Sequence, residues 1–305
     1  MRNFLNLIRW KNLLMIALAQ LLIKYAFLEP FGVATSLDAY GISILIFATL
    51  CIAAAGNIIN DIYDIETDFV NKPDQLIIGE SISEKTGYNL FIAFNFVGVA
   101  AGFYISNDVG KSAFFSLFVI ISALLYVYAT YLKRTLLIGN IVISILVALS
   151  VLIVGIFELI PAITTENRTI QLTFFNIILD YAIFAFIINL LREITKDLED
   201  IDGDYKAGMN TLPIAIGRER TTKILFVLSL IPVLSLIFYV LNTLYKNTIS
   251  AAYFIFLIIG PLLYISLKLF SAKSKKDYHF ISNLLKLVMF SGVLSLLLYY
   301  FKLKY

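Results

Sequence analysis

Two short stretches of the sequence carry oxygen-bearing side chains at helical spacing, which favours metal-assisted chemistry. The stretches are NDIYDIETD, residues 60–68, and KDLEDIDGD, residues 196–204. Their polar positions repeat every three or four residues: Asn60, Asp64 and Asp68, with Asp61 alongside, and then Asp197, Asp200 and Asp204. On one face of a helix, like charges repel unless a cation lies among them. Hard oxygen ligands of this kind suit Mg²⁺, which commonly shares its ligand shell with a substrate phosphate.

The elements that must position these side chains are membrane helices. The chain has 305 residues, of which 60% are hydrophobic and only 15% are charged, whereas about 25% of a soluble domain is charged. We predict an all-α, polytopic membrane protein with nine spans, because each apolar run has about the 20 residues that a spanning helix needs. The predicted spans are 12–33, 41–60, 87–106, 112–132, 137–160, 172–192, 222–242, 249–270 and 282–301.

The distribution of Lys and Arg predicts the orientation of the spans. With the N-terminus inside, 18 of the 24 Lys and Arg residues fall inside or at inner helix ends, as the positive-inside rule requires. We therefore expect a protein of the cell's inner (plasma) membrane, with its N-terminus and both acidic segments cytoplasmic and its C-terminus outside. The acidic segments are four helices apart. Within a single domain, residues 1–305, this offset predicts a parallel repeat of helices 1–4 and 5–8, followed by helix 9.

The acidic residues are strongly clustered on the predicted inner side. Of the 21 Asp and Glu residues, 14 lie in residues 61–84 and 193–219. One such segment alone is adequately explained as a solvated loop in which Asp and Asn form caps and turns. Two segments on one side, both with helical spacing, favour clusters that face one another and bind a diphosphate through bridging magnesium ions.

Other kinds of site are excluded by residue counts. The chain has one cysteine, Cys51, and one histidine, His279, so neither an intrachain disulfide nor a histidine-rich metal site is expected. The net charge of +3 gives no reason to expect a nucleic acid partner. No protein partner is implied, and the oligomeric state is left open.

At these motifs the sequence resembles the UbiA family of intramembrane prenyltransferases. NDIYDIETD resembles the family's first motif, NDxxDxxxD, and KDLEDIDGDYKAGMNTLP resembles its second, KDxxDxxGDxxxGxxT. The segment YATYLKRTLLIGN, residues 128–140, resembles the Tyr/Lys segment that precedes the fifth helix. With nine helices in both, the resemblance covers nearly the whole chain.

The resemblance implies nine helices around a central cavity and Mg²⁺-dependent transfer of an isoprenyl group from an isoprenyl diphosphate to a lipophilic acceptor. Two magnesium ions are implied, held by Asn60, Asp64 and Asp68 with Asp61, and by Asp200 and Asp204 with Asp197. Lys133, Arg192 and Lys196 are implied diphosphate contacts, and Tyr128 is implied to face the allylic carbon. The leaving diphosphate would generate an allylic cation, which needs a dry pocket with aromatic walls; Tyr126 and Tyr131 are further candidates for those walls.

One stretch, NKPDQLIIGE at residues 71–80, departs from the family pattern. Asn71 and Pro73 are present, but Gln75 stands where the family often has a diphosphate-binding arginine. Lys72 is the nearest replacement for that charge, although a lysine offers a point charge rather than a two-pronged donor. The effect of Gln75 on the loop stays open.

The acceptor and the prenyl chain length are not settled by the sequence. REITKDLEDIDGD, residues 192–204, is most similar to the branch that alkylates geranylgeranylglyceryl phosphate, which favours geranylgeranyl diphosphate as donor. Arg9, Lys11 or Arg192 could hold the phosphate of such an acceptor. The alternatives are aromatic quinone precursors and porphyrin- or chlorophyll-type acceptors. Asp180, within a span, is unassigned.

A different class, a cation transporter, would place its carboxylates near the middle of the membrane rather than at inner helix ends.

Overall fold

The computed structural model describes residues 2–299, apart from the side chain of Gln75. Within that range, nine helices are long and apolar enough to cross a membrane. They are α1 Trp10–Phe31, α2 Ala39–Tyr63, α3 Glu84–Asp108, α4 Ser112–Thr130, α5 Ile138–Glu158, α6 Arg168–Lys206, α7 Arg218–Leu244, α8 Thr248–Ser271 and α9 Lys275–Tyr299. The nine predicted spans and the all-α class are confirmed. The two C-terminal lysines, Lys302 and Lys304, lie outside the described residues.

One predicted boundary is wrong by more than a turn. The sequence predicted that the sixth span ends near residue 192, whereas α6 continues without a break to Lys206. The stretch from Arg192 to Lys206 contains no Pro, and its only Gly is Gly203, so nothing in it stops a helix. The second motif is therefore part of a rigid helix.

Short helices join the spans. Arg2–Leu7 precedes α1, Ile65–Asn71 follows α2, and Leu212–Ile216 lies between α6 and α7. Turns of 3₁₀-helix occupy Pro73–Gln75 and Leu132–Arg134. Three spans include a π-helical segment: Ile23–Leu28, Val240–Leu244 and Ile255–Ile259.

Polar residues just before several spans fix where the helices begin. The carboxylate of Asp38 accepts a hydrogen bond from Gly41 N at 2.7 Å at the start of α2. Asn247 accepts one from Ser250 N at 3.0 Å at the start of α8. Ser274 forms a capping box with Asp277 at the start of α9. Each cap satisfies N–H groups that have no partner within the helix.

The chain forms two compact units, Met1–Lys133 with Leu149–Asp180, and Arg134–Ala148 with Tyr181–Tyr305. In the first unit, α2 packs closely along α3 because α3 carries glycines on the contact face. A Cβ at Gly98 would lie 3.1 Å from the carbonyl oxygen of Ala48, and one at Gly102 would lie 2.4 Å from the ring of Phe118. Small residues permit this backbone approach in membrane helices. The predicted repeat of helices 1–4 and 5–8 stays a prediction.

The first unit also contains a buried ion pair. Lys24 of α1 and Glu158 of α5 are almost fully buried, and Lys24 Nζ lies 3.0 Å from Glu158 Oε1. Glu158 Oε2 accepts a hydrogen bond from Leu37 N at 3.1 Å, and the Glu158 carbonyl accepts one from Ser36 N at 3.1 Å. These bonds attach the α1–α2 connection to the end of α5.

The second unit packs α7, α8 and α9 with the C-terminal half of α6 around one apolar core. Its buried polar groups pair across helices. The hydroxyls of Ser229 and Ser266 lie 2.8 Å apart, and those of Thr222 and Tyr278 lie 2.9 Å apart. Paired hydroxyls avoid the cost of an unsatisfied polar group in an apolar surrounding.

The ion pair generates a stability prediction. Lys24→Met leaves the Glu158 carboxylate buried without its cation, which should destabilise the protein by about 3–5 kcal/mol. Adding Glu158→Gln removes the charge and keeps an oxygen for Leu37 N, so the double variant should regain most of that loss. The measurement is the fraction of protein that stays monodisperse in detergent after heating. A double variant as unstable as Lys24→Met alone would contradict the importance of the buried charge.

Candidate active site

The first acidic motif lies where α2 ends. Helix α2 continues past Asn60 to Tyr63, and Asp64 leaves helical geometry at φ −101° and ψ 1° before Ile65–Asn71 begins. Across this break, Asn60 Nδ2 donates to Asp64 Oδ2 at 2.6 Å, and Asp68 N donates to the Asp64 carbonyl at 2.7 Å. The motif is therefore two helices joined at Asp64, and the break directs the Asp64 carboxylate to the amide of Asn60.

Lys133 and Arg9 neutralise two of the carboxylates of this motif. Lys133 Nζ lies 2.6 Å from Asp64 Oδ1, and the side chain of Lys133 is only 8% exposed. Arg9 donates from its guanidinium to Asp61 Oδ1 at 2.8 Å. The sequence suggested Lys133 as a diphosphate contact and Asp61 as a magnesium ligand, and in this structure each already has an ionic partner. A metal at Asp64 would share that carboxylate with Lys133.

Arg9 reaches Asp61 through an unusual backbone conformation. It is the only residue other than glycine with a positive φ, 52°, among the described residues. Leu7, just before it, is buried against the end of α2, and Asn57 Nδ2 donates to the Ile8 carbonyl at 2.9 Å. Left-handed conformations of this kind persist when the surroundings hold them in place, and they cluster at functional sites. The sequence named Arg9 only as a candidate holder of an acceptor phosphate and gave no signal for this pairing.

Asp68 differs electrostatically from an ordinary aspartate. The pKa of Asp68 is raised to about 6, chiefly by burial and also by the negative charge of Asp64, while Lys72 opposes the shift. Lys72 follows the end of the helix Ile65–Asn71, where its backbone N–H donates to the Asp68 carbonyl at 2.7 Å. A cation beside Asp68 would favour its charged form, so binding of a metal there would release a proton.

The second acidic motif lies within α6. Here an uncharged amide, rather than a cation, bonds one of the carboxylates. Asn140 of α5 donates from Nδ2 to Asp197 Oδ2 at 2.8 Å. Asn140 is held in turn by Ser144, whose hydroxyl donates to the Asn140 carbonyl at 2.6 Å, and Asn189 donates to the same hydroxyl at 3.2 Å. The sequence assigned Asn140 and Asn189 to bonding between helices; the structure adds that this network ends on Asp197.

Two buried polar atoms of α6 have no hydrogen-bond partner. Oδ1 of Asp200 is buried and accepts no hydrogen bond, and Nε of Arg192 is buried and donates none. Glu193 accepts from both Arg192 and Lys196 at 3.0 Å, which holds these two cations together. Asp204, one turn beyond Asp200, is also buried. Buried polar atoms in this condition commonly indicate a missing ion or water.

These residues fit magnesium in the presence of a phosphate. Among the described residues, no group of three or more His, Cys, Asp or Glu side chains is arranged to hold a metal ion. Magnesium, however, is usually held by one or two carboxylates together with waters and substrate phosphate oxygens. Asp64 with Asn60, and Asp200 with its unbonded oxygen, each supply that smaller number of oxygen ligands.

The aromatic candidates lie near the end of α4. Tyr128 is half-buried, Tyr126 is exposed and stacks on Phe91 with ring centroids 6.0 Å apart, and Tyr131 is exposed. Tyr128 was predicted from the family resemblance, and Tyr126 and Tyr131 were predicted because they are near Lys133 in the sequence. All three roles stay predictions. Asp180 lies on an exposed face of α6 and has no role in either motif.

The comparison with protein families decides the class. The UbiA prenyltransferase family matches residues 17–301 of the chain. The chain belongs to this family. The predicted identity as a membrane-embedded prenyltransferase is therefore confirmed, and the alternative of a cation transporter is not supported. The matched residues include both acidic motifs and the Tyr/Lys segment at residues 128–140.

Individual UbiA proteins extend the comparison over most of the chain. Digeranylgeranylglyceryl phosphate synthase of Methanosphaera stadtmanae is 31% identical over 257 residues, covering 82% of this chain and 86% of that protein. The same enzyme of Korarchaeum cryptofilum is 32% identical over 247 residues, covering 80% of each chain.

Solved structures confirm the UbiA fold. A structure from a study of digeranylgeranylglyceryl phosphate synthase in membranes has a TM-score of 0.63 at 24% identity, covering 99% of this chain and 98% of that one. A UbiA homolog from Archaeoglobus fulgidus, bound to DMAPP and Mg²⁺, has a TM-score of 0.56 at 20% identity, covering 97% of this chain and 99% of that one. At these identities the likeness establishes the fold.

The raised pKa of Asp68 generates a prediction about metal binding. Below pH 6 this carboxylate is mostly protonated. The affinity for Mg²⁺ should therefore fall by about fourfold as the pH drops from 7.5 to 5.5, because only about a quarter of the carboxylate is ionised at the lower pH. Isothermal titration of the protein with Mg²⁺ at several pH values measures this dependence. Asp68→Asn should flatten it, whereas Asp74→Asn, at an exposed position in the following loop, should not. The same pH dependence in wild type and Asp68→Asn would show that Asp68 takes no part.

Proposed function

We propose that this protein transfers a geranylgeranyl group from geranylgeranyl diphosphate to the hydroxyl of geranylgeranylglyceryl phosphate. The observation that carries the proposal is the pair of relatives named digeranylgeranylglyceryl phosphate synthase, each more than 30% identical over at least 80% of this chain. The amino-acid sequence of residues 192–204 supports the same branch of the family. In the reaction, the allylic C–O bond breaks with its electron pair on the leaving diphosphate, and the acceptor oxygen bonds to the allylic carbon and loses its proton.

Magnesium is proposed as the cofactor, two ions on the donor diphosphate, because the A. fulgidus homolog was solved with DMAPP and Mg²⁺ and because both motifs fit the metal. Asn60, Asp61, Asp64 and Asp68 are the proposed ligands of one ion, and Asp197, Asp200 and Asp204 those of the other. When bound, the metal would neutralise the negative charge that develops on the leaving diphosphate. Asn60 would keep the Asp64 carboxylate oriented, as it does through its 2.6 Å hydrogen bond.

Basic side chains are proposed to bind the diphosphate directly. Lys133 already lies at Asp64, so a diphosphate next to that carboxylate would be within reach of its ammonium group. Arg192 and Lys196 are held together by Glu193, and the buried Nε of Arg192 is a donor that a phosphate oxygen would satisfy. Lys72, beside Asp68, is proposed to supply charge where the family often has an arginine. Charge-assisted bonds to phosphate strengthen as the leaving group becomes more negative.

The allylic cation needs protection from water. Tyr128 is proposed to lie closest to it, since a ring face stabilises a cation and the half-buried position excludes solvent. Arg9 is proposed to keep Asp61 in a fixed charge state through the 2.8 Å ion pair. The role of Tyr128 is proposed from its position in α4, and the role of Arg9 from its contact with Asp61 near the end of α2.

The cellular orientation is part of the proposal. We place the protein in the cell's inner membrane with the N-terminus and both motifs cytoplasmic, because most Lys and Arg residues lie on that side of the predicted topology. Single cysteines at Asp74 and Asn210, both exposed, in a Cys51→Ser background, should react with an impermeant reagent only from the cytoplasmic side. A cysteine at Asn107, at the other end of α3, should react only from outside. Reaction of positions 74 and 210 from opposite sides would exclude a shared substrate.

Alanine substitutions test the metal ligands. Asp64→Ala and Asp200→Ala should each reduce turnover by more than tenfold, because each removes an oxygen ligand needed in the transition state, and tenfold corresponds to about 1.4 kcal/mol. Asp74→Ala and Asp202→Ala are matched controls, since these exposed carboxylates neighbour the two motifs and are not proposed ligands. Turnover is measured with labelled geranylgeranyl diphosphate. Retention of more than about a tenth of wild-type turnover in both ligand variants would rule out the two-metal arrangement.

A panel of acceptors tests the substrate. With Mg²⁺ and geranylgeranyl diphosphate, geranylgeranylglyceryl phosphate should give a product of the expected mass. Geranylgeranylglycerol, which lacks only the phosphate, should have a kcat/KM lower by at least about tenfold, because the groups that bind the phosphate would be left without a partner. A preference for 4-hydroxybenzoate or a porphyrin alcohol over the glyceryl phosphate would instead establish the alternative acceptor class.

A further inference from the structure

A cavity of about 620 Å³ lies beside the last turns of α6. It is lined by Ile201, Asp202, Tyr205 and Lys206 of α6 and by residues 213–218 after it. Successive residues of α6 are rotated by roughly 100° about the helix axis. Tyr205 and Lys206 therefore point roughly 100° or more away from the face that carries Asp197, Asp200 and Asp204. The cavity is therefore a feature separate from the second acidic motif, although the same helix forms part of both.

Two cationic side chains line this cavity. Arg218 is the first residue of α7, and its Nε is buried and donates no hydrogen bond. Lys206 is exposed at the end of α6. Neither forms an ion pair with a carboxylate of the described residues, even though Asp202 precedes Lys206 by one turn. A guanidinium that lines a cavity and has a buried N–H without an acceptor suits an oxygen-bearing anion.

The start of α7 adds to the positive potential. Gly217, at φ 90°, precedes the helix and lines the cavity, and it provides no side chain to accept from the first-turn N–H groups. A helix of this length has a partial positive charge at its N-terminus, which favours an anion. Backbone dipole, Arg218 and Lys206 therefore act on the same space.

The other walls of the cavity are apolar. Ile201, Pro213 and Ile214 supply hydrocarbon surface, and Tyr205 lies exposed at the margin. The cavity lies where α6 ends and α7 begins. Asp202 also lines it, at an exposed position. An occupant that pairs with both cations and covers the apolar wall has a phosphate group joined to hydrocarbon chains.

We propose that this cavity binds the phosphate headgroup of a membrane glycerolipid. Arg218 and Lys206 contact the phosphate, and the apolar wall contacts the start of the chains. The site is separate from the proposed magnesium ligands, so its occupancy is independent of prenyl transfer and can be tested without turnover.

Binding of a spin-labelled lipid tests the proposal. The full-length protein is placed in phosphatidylcholine nanodiscs, and the motionally restricted fraction of spin-labelled phosphatidic acid is measured by EPR. Arg218→Gln and Lys206→Gln should each weaken association by about five- to tenfold. Arg220→Gln removes the same charge two residues along α7, at an exposed position that does not line the cavity, and should change association less than twofold. Equal losses in Arg218→Gln and Arg220→Gln would overturn the site in favour of general surface charge.

Two further comparisons identify the ligand and control for folding. Spin-labelled dioleoylglycerol, which lacks the phosphate, should associate at least about tenfold more weakly than phosphatidic acid. If inorganic phosphate displaces phosphatidic acid at equal concentration, the ligand is free phosphate and the lipid proposal is wrong. Ile214→Glu should also abolish the preference by placing a carboxylate in the wall, whereas Ile214→Gln should retain it with unchanged helix content. Equal association of phosphatidic acid in both Ile214 variants would contradict the assignment.

Discussion

Every buried charge in a membrane protein requires a partner, and this requirement organises the molecule. An uncompensated carboxylate in an apolar surrounding is far more costly than a paired one. Three contacts supply such partners. Lys24 pairs with Glu158 at 3.0 Å, and Lys133 pairs with Asp64 at 2.6 Å. The amide of Asn140 donates a hydrogen bond to Asp197 at 2.8 Å. The first pair fixes a loop, and the other two each hold one carboxylate of an acidic motif.

The compensation at the two motifs is partial, which connects the fold to the proposed reaction. Oδ1 of Asp200 is buried without a donor, and the buried Nε of Arg192 has no acceptor. The pKa of Asp68 is raised to about 6, so a cation beside it would favour its ionised form. In the proposed function, magnesium ions and a diphosphate together would satisfy these groups. Such binding would strengthen as the leaving group becomes more negative, which is the condition for catalysis.

Much of this organisation could be predicted from the sequence, because hydropathy and spacing are local properties. The nine spans and both motifs follow from runs of apolar residues and from carboxylates at intervals of three and four. The break at Asp64 could not be predicted, since its neighbours all permit a helix. The pairs Arg9–Asp61 and Asn140–Asp197 join residues more than 50 positions apart, and a single sequence gives no signal for such contacts. The continuation of α6 beyond residue 192 could not be predicted from hydropathy, because the residues after 192 are mostly charged.

Each motif is proposed to hold one of two metal ions on the donor diphosphate. Bound Mn²⁺ can be counted by EPR in the presence of the unreactive analogue geranylgeranyl thiodiphosphate. We expect two ions per protein, one in Asp64→Asn and one in Asp200→Asn, with the analogue required for tight binding. A single ion in the wild type, or a count that neither substitution changes, would show that the two motifs do not each hold a metal ion.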